Sequence, residues 1–192
     1  MATVASALPK AAALRLRSTF AALRHRNFRL FLLGQFVSLC GTLMQQVALG
    51  WLVLELTNSP FAVGLVTTLG SLPILLLTLY GGVVADRVDK RRFVLLLQCL
   101  MLTEALALAM LTVFHWITVH WIMGLAVFAG LLSAFEVPTR QALVSDLVER
   151  EDLMNALALS SMGFNVARVI GPAIAGALIA AWGSPPVSSA TR

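Results

Sequence analysis

The residues of this chain that could do chemistry stand inside, or directly beside, long apolar stretches. Gln35, Ser38, Thr42, Gln45 and Gln46 recur along one such stretch. At about 100° per residue they fall within roughly 100° of helical arc. Ser161, Asn165, Arg168 and Pro172 repeat the device in a later stretch, within roughly 60° of arc. Between the two lies Glu104, read as the only carboxylate at a depth comparable with Arg168. Amides and charges left against lipid have no hydrogen-bond partners, so these faces must look toward other helices or a watery cavity. The first stripe is either a cavity wall that hydrogen-bonds a substrate or glue between helices. Five polar groups on one arc exceed what glue needs, which favours the cavity. Arg168 and Glu104 either pair with each other or bind substrate or a proton, and for Glu104 the structural role is preferred.

Such groups require membrane-spanning elements to position them, and the composition supplies these. The chain has 192 residues, 59% hydrophobic and 12% charged, with a mean hydropathy of +0.88. Soluble domains carry about 25% charged residues, so an all-α integral membrane protein is expected. The net charge of +5 does not indicate a nucleic-acid partner, because the basic residues flank apolar spans instead of forming a soluble basic face. A basic leader is expected at 1–29, with a candidate amphipathic helix from Leu14 to Phe28. Five spans follow at about 30–55, 61–85, 93–114, 118–137 and 154–182, then a polar tail at 183–192. The link from Pro138 to Leu153 is expected to form a surface helix. Cys40 and Cys99 fall inside spans and read as small apolar residues. Phosphate-binding glycine loops, metal-spaced His/Cys sets and nucleophile elbows are missing from the sequence, which argues against an enzyme.

The turn Gly81-Gly82-Val83-Val84-Ala85-Asp86-Arg87-Val88-Asp89-Lys90-Arg91-Arg92 ends with six charges in seven residues. A charge at the bilayer centre costs at least about 2.5–3.5 kcal/mol, so this segment must be an aqueous turn between two spans. Its Lys/Arg, with those of the leader and of the fourth loop, predict a cytoplasmic N-terminus by the positive-inside rule. Gly81 and Gly82 are expected to allow close backbone approach as the second span ends.

Gly82-x-x-x-Asp86-Arg87-x-x-Lys90-Arg91 resembles the loop between helices 2 and 3 of major facilitator superfamily transporters. Asp89 stands where that pattern has its second glycine. Ala167-Arg168-Val169-Ile170-Gly171-Pro172-Ala173-Ile174-Ala175-Gly176 is similar to the fifth-helix motif of drug/proton antiporters in the same superfamily, with Ala158, Ala167 and Ala175 where that motif prefers glycine. Leu56 to Leu65, Pro138 to Val148 and Glu151 to Ala156 together resemble the branch containing enterobactin exporters and macrolide-efflux proteins.

The resemblance implies the N-terminal bundle of a twelve-helix transporter that exports a small organic molecule across the bacterial inner membrane. The proton gradient would be the energy source, and no bound cofactor is implied. It makes Asp86, with Lys90 or Arg91, a latch on the cytoplasmic side, and Gly171, Pro172 and Gly176 a packing element. The bilayer, a small-molecule substrate and a missing C-terminal half are the implied partners. A sixth helix and the second half are expected to be missing, which makes the chain a candidate fragment. The rival reading is a non-transporting membrane scaffold derived from such a transporter. Substrate identity is not legible.

Overall fold

The computed structural model describes residues 21–182. Most of the expected leader and the polar tail at 183–192 lie outside the described residues. Within them every regular element is helical. A 3-10 turn at Ala21–Arg24 leads into α1 (Arg26–Thr57), α2 (Pro60–Ala85), α3 (Lys90–Val113) and α4 (Val119–Leu147). A second 3-10 turn at Arg150–Asp152 precedes α5 (Leu153–Trp182). All five α-helices are long and apolar enough to cross a membrane. The shortest has 24 residues and reaches about 36 Å, against about 30 Å of hydrocarbon. Their outer faces suit lipid: Leu75 and Leu79 are 81% and 82% exposed. The chain is a multi-pass, all-helical membrane protein.

Local chemistry sets the helix boundaries. Asn58 ends α1 in the left-handed region at φ 48°, a conformation asparagine tolerates better than most residues. Ser59 then accepts a hydrogen bond from the Ala62 amide, and Pro60 takes the first helical position, where no donor is lost. Asp89 caps α3 by accepting from the backbone N–H groups of Arg91 and Arg92, at 3.1 and 3.2 Å. Two expected helices take another form. His25 is extended (φ −76°, ψ 109°), so no continuous helix runs from the leader through Phe28, and Arg26 and Arg29 belong to the start of α1. Nor is there a separate surface helix after Pro138, because α4 continues unbroken to Leu147.

The helices pack chiefly as α2 on α4, α1 on α5, and α3 on α4. A reciprocal fit of glycine against proline closes the α2–α4 contact. A Cβ on Gly130 would collide with the Gly70 carbonyl and lie 3.3 Å from the Pro73 ring; one on Gly81 would collide with the Ala134 carbonyl and lie 3.1 Å from the Pro138 ring. Pro138 has no N–H to offer the carbonyl four residues back, which is that of Ala134. Gly81 lets the α2 backbone come up against that carbonyl. Gly82 has open space around it and takes no part, contrary to the expectation that both glycines of the pair mediate close approach.

Two apolar clusters plug opposite ends of the bundle. Phe28, Val144, Ala156 and Leu159 join the start of α1 to the end of α4 and the start of α5. Val53, Val66, Ile122 and Ala126 join the end of α1 to the starts of α2 and α4. The His25–Asp152 hydrogen bond (3.1 Å) and the Lys90–Asp146 ion pair (2.8 Å) lie at the first of these ends, together with the charged turn.

Candidate functional site

Between the two plugs the helices line a partly open cavity of about 650 Å³. Ser38, Thr42, Gln45 and Gln46 from α1 line it, facing Gln98, Met101 and Glu104 of α3. Thr67 and Ser71 of α2, Ser133 of α4 and Pro172 of α5 complete the polar and proximal wall, and Val53, Val63 and Val66 give it an apolar end. The spacing of α1 explains the register: residues 38, 42, 45 and 46 return to one helical face every turn.

Hydrogen bonds organise the wall into two groups. The Gln45 amide Nε2 donates to both carboxylate oxygens of Glu104, at 3.2 and 3.0 Å. Glu104 is 5% exposed. Nearer the charged end, Ser38 Oγ donates to Gln98 Oε1 at 3.0 Å, and Gln98 Nε2 points at Glu136 Oε1 at 3.5 Å. Glu136 in turn accepts from Arg140 Nη1 at 3.1 Å, one helical turn along α4. Gln98 therefore ties three helices together. Thr42 Oγ1 bonds back to the Ser38 carbonyl at 3.1 Å, which links the two groups along α1.

Several sequence expectations are corrected here. Gln35 shares the α1 arc but does not line the cavity, and its Oε1 is buried without a hydrogen-bond partner. Glu104 is paired with Gln45 and not with Arg168. Asn165 and Arg168 are exposed along α5, where Asn165 Nδ2 donates to the Ser161 carbonyl and Arg168 lies 5.6 Å from the Phe164 ring centroid. They are not part of this cavity. A 60° arc fixed their shared face but not its direction, which the α1–α5 packing decides.

In the packing element, Gly171 is buried, with Leu43 Cβ 3.0 Å from the position of an added Cβ. A Cβ added at Gly176 would meet nothing within 4 Å, so no close packing there requires glycine. Pro172 sits inside a continuous α5 and borders the cavity. At the charged turn, Lys90 pairs with Asp146 of α4 and not with Asp86; Asp86, Arg87 and Arg91 are exposed.

Glu136 is the residue that sequence reading missed, and among the described residues it makes Glu104 one of two buried carboxylates. The signal was present in Glu136-x-x-x-Arg140, an i,i+4 ion pair inside an apolar helix. It was obscured by ending the fourth span at residue 137. Among the described residues no three His, Cys, Asp or Glu come close enough to hold a metal ion.

The chain is 35% identical to the staphyloferrin A transporter of Staphylococcus aureus over 159 residues, 81% of this chain and 39% of that protein. It is 30% identical to the enterobactin exporter of Shigella flexneri over 161 residues, 83% of this chain and 39% of the relative. With the multidrug efflux pump Tap of Mycolicibacterium fortuitum it shares 29% identity over 142 residues, 71% of this chain and 35% of the pump. The chain thus spans about two fifths of the length of these relatives. No solved structure gives a significant match. The family model for transmembrane secretion effectors matches residues 17–190. Five apolar helices, the charged turn after α2, the Gly-Pro element of α5 and this match together place the chain in the transmembrane secretion effector family of the major facilitator superfamily.

Proposed function

We propose that this chain forms the N-terminal helical portion of a proton-driven secondary transporter, not an enzyme, that exports a small organic molecule of drug or siderophore type. The observation that carries the reading is the cavity among α1 to α4, with polar groups set in a mainly apolar wall, in a chain whose relatives include a named siderophore transporter, a siderophore exporter and a drug efflux pump. A cavity of about 650 Å³ is the size of a typical small-molecule site. Helices α1 to α3 would supply one inverted repeat, and α4 and α5 begin the second. Two contacts fit that symmetry: exchanging 1 with 4 and 2 with 5 carries the α1–α5 pairing onto the α4–α2 pairing. The cavity and the coupling route would be completed by helices that the relatives' greater length supplies.

The membrane is proposed to be the bacterial inner membrane, with the charged turn and the N-terminus in the cytoplasm, because Lys/Arg concentrate at that end. The test is a proteoliposome assay on the longer transporter that carries this chain, with an imposed proton gradient. Substrate-dependent proton flux that collapses with a protonophore is the expected result. Export that persists unchanged without a proton gradient overturns the proton-driven reading.

A further inference from the structure

We propose that the exposed face at the start of α1 is a docking surface for an anionic phospholipid, with its phosphate held by Arg26 and Arg29 and an acyl chain laid along Leu30, Leu33 and Val37. The proposal goes beyond the exporter reading and does not depend on it.

Charge without a partner is the first support. Arg24, Arg26 and Arg29 are all exposed, and the first acidic residue of the chain is Glu55, at the far end of α1. Asp152, which comes to this end from the turn before α5, is taken by His25 at 3.1 Å. Glu149 and Glu151 are exposed on that turn, but among the described residues no ion pair joins either of them to these arginines. A phosphodiester arriving here meets guanidinium groups that no carboxylate has engaged, and the planar fork of arginine matches two phosphate oxygens at once. The arginines are also held in place. Ala22 is fully buried against the cluster of Phe28, Val144 and Ala156, and the His25–Asp152 bond pins the same segment beside α5.

Geometry is the second support. Arg26, Arg29, Leu30, Leu33 and Val37 fall within about 100° of helical arc, and Leu30, Leu33 and Val37 are 57%, 61% and 71% exposed. From Arg26 to Val37 the helix rises about 16 Å, close to half of the roughly 30 Å of hydrocarbon. The strip beneath the arginines is therefore one leaflet deep. Gly34 and Gly41 lie on its edge, and a Cβ added at either would meet nothing within 4 Å, so no neighbouring helix is packed there. Basic groups at headgroup level above an apolar strip of leaflet depth fit an amphiphile. A free phosphate would use the arginines and leave the strip bare, and a nucleic acid has no use for the strip at all.

The experiment uses the 192-residue chain with Cys40→Ala, Cys99→Ala and a bimane fluorophore on Leu33→Cys, in phosphatidylcholine nanodiscs. These are doped with a trace of phosphatidylglycerol, or of phosphatidylcholine, carrying a nitroxide on the acyl chain as quencher. The labelled phosphatidylglycerol is expected to quench at least about fivefold more per mole, the enrichment that one basic group near a surface contributes. Arg26→Gln with Arg29→Gln should bring the two lipids to equality. Arg91→Gln with Arg92→Gln, the same loss of charge at the start of α3, should leave the preference in place. Equal quenching by the two lipids in the parent chain overturns the proposal whether or not any variant folds. So does a preference that survives Arg26→Gln with Arg29→Gln, and so does one lost equally with the α3 pair, which would mark a diffuse surface potential. Displacement by soluble glycerophosphoglycerol would make this a site for free phosphate esters and not a lipid surface. Quenching by neither lipid would mean that a protein helix, from a second copy or another chain, covers the strip, and would overturn the assignment as well.

Discussion

Asp89 shows how a departure from a family pattern acquires a physical meaning. The pattern has glycine at this place, yet φ at Asp89 is −64°, a value open to any residue. Its carboxylate caps the two leading amides of α3. Asp89→Ala should therefore lower stability by about 1 kcal/mol and Asp89→Gly by only a few tenths. Faster amide hydrogen exchange at Arg91 and Arg92 in the alanine variant checks the assignment, and unchanged exchange there refutes it. Glycines give a sharper contrast. Gly130→Ala forces a methyl into the Gly70 carbonyl and should destabilise by about 1–3 kcal/mol, the usual cost of overpacking. Gly176→Ala meets open space and should be neutral or stabilise by up to about 1 kcal/mol through helix propensity. Unfolding of both variants in mixed detergent would show whether the order holds.

At the scale of elements, the decisive fact is that α4 passes through Pro138 instead of stopping there. Its continuation carries Thr139 and Arg140 into the bundle, where Arg140 meets Glu136 one turn back, and sets Asp146 against Lys90 of the neighbouring turn. This pair is partly exposed, so its coupling should be modest, about 0.2–1 kcal/mol. A double-mutant cycle on Lys90→Ala and Asp146→Ala measures it, and strict additivity would mean that the contact contributes nothing. Asp86 is different: it is exposed and its backbone N–H, not its carboxylate, makes the bond at the end of α2. In the proposed longer transporter, Asp86→Asn should keep expression while impairing export, since a two-state cycle responds to a bias of only about 1–3 kcal/mol. Export at the parental rate would remove Asp86 from the latch.

For the whole molecule, the arrangement of charge and the open face of α5 make two claims. Single cysteines at positions 89 and 58 should differ in intact cells: an impermeant thiol reagent should label position 58 and spare 89. The opposite pattern reverses the proposed orientation. Arg168, Asn165 and Ser161 are exposed along one face, where lipid offers no hydrogen bonds. Reconstituted without further helices, the chain should accordingly show no proton-coupled export, because alternating access needs two bundles that rock about a shared site. Saturable, gradient-dependent export by the 192-residue chain, abolished by Arg168→Ala, would contradict this and indicate a functional assembly of copies.

The sequence by itself determined the number of membrane-spanning helices, the aqueous turn after the second of them, the turn at Asn58-Ser59-Pro60, and the α1 face carrying Ser38, Thr42, Gln45 and Gln46. These are consequences of local rules: hydropathy over about 20 residues, capping chemistry and a 3.6-residue period. The family was legible too, because its motifs sit at turns and at a Gly-Pro step that any reader of the chain meets. Only the tertiary structure decided partners. Periodicity places Arg168, Asn165 and Pro172 on a common face but cannot say toward which neighbour the helix is turned, and docking against α1 leaves the first two outside the bundle. Pairing of Glu104 with Gln45 depends on α1 and α3 standing at the same height, across 59 residues of chain. Glu136 gained its partner Arg140 because Pro138, a stop signal in most helices, is tolerated where the Ala134 carbonyl packs against Gly81. That tolerance depends on a contact between α2 and α4, and a local pattern carries no record of such a contact.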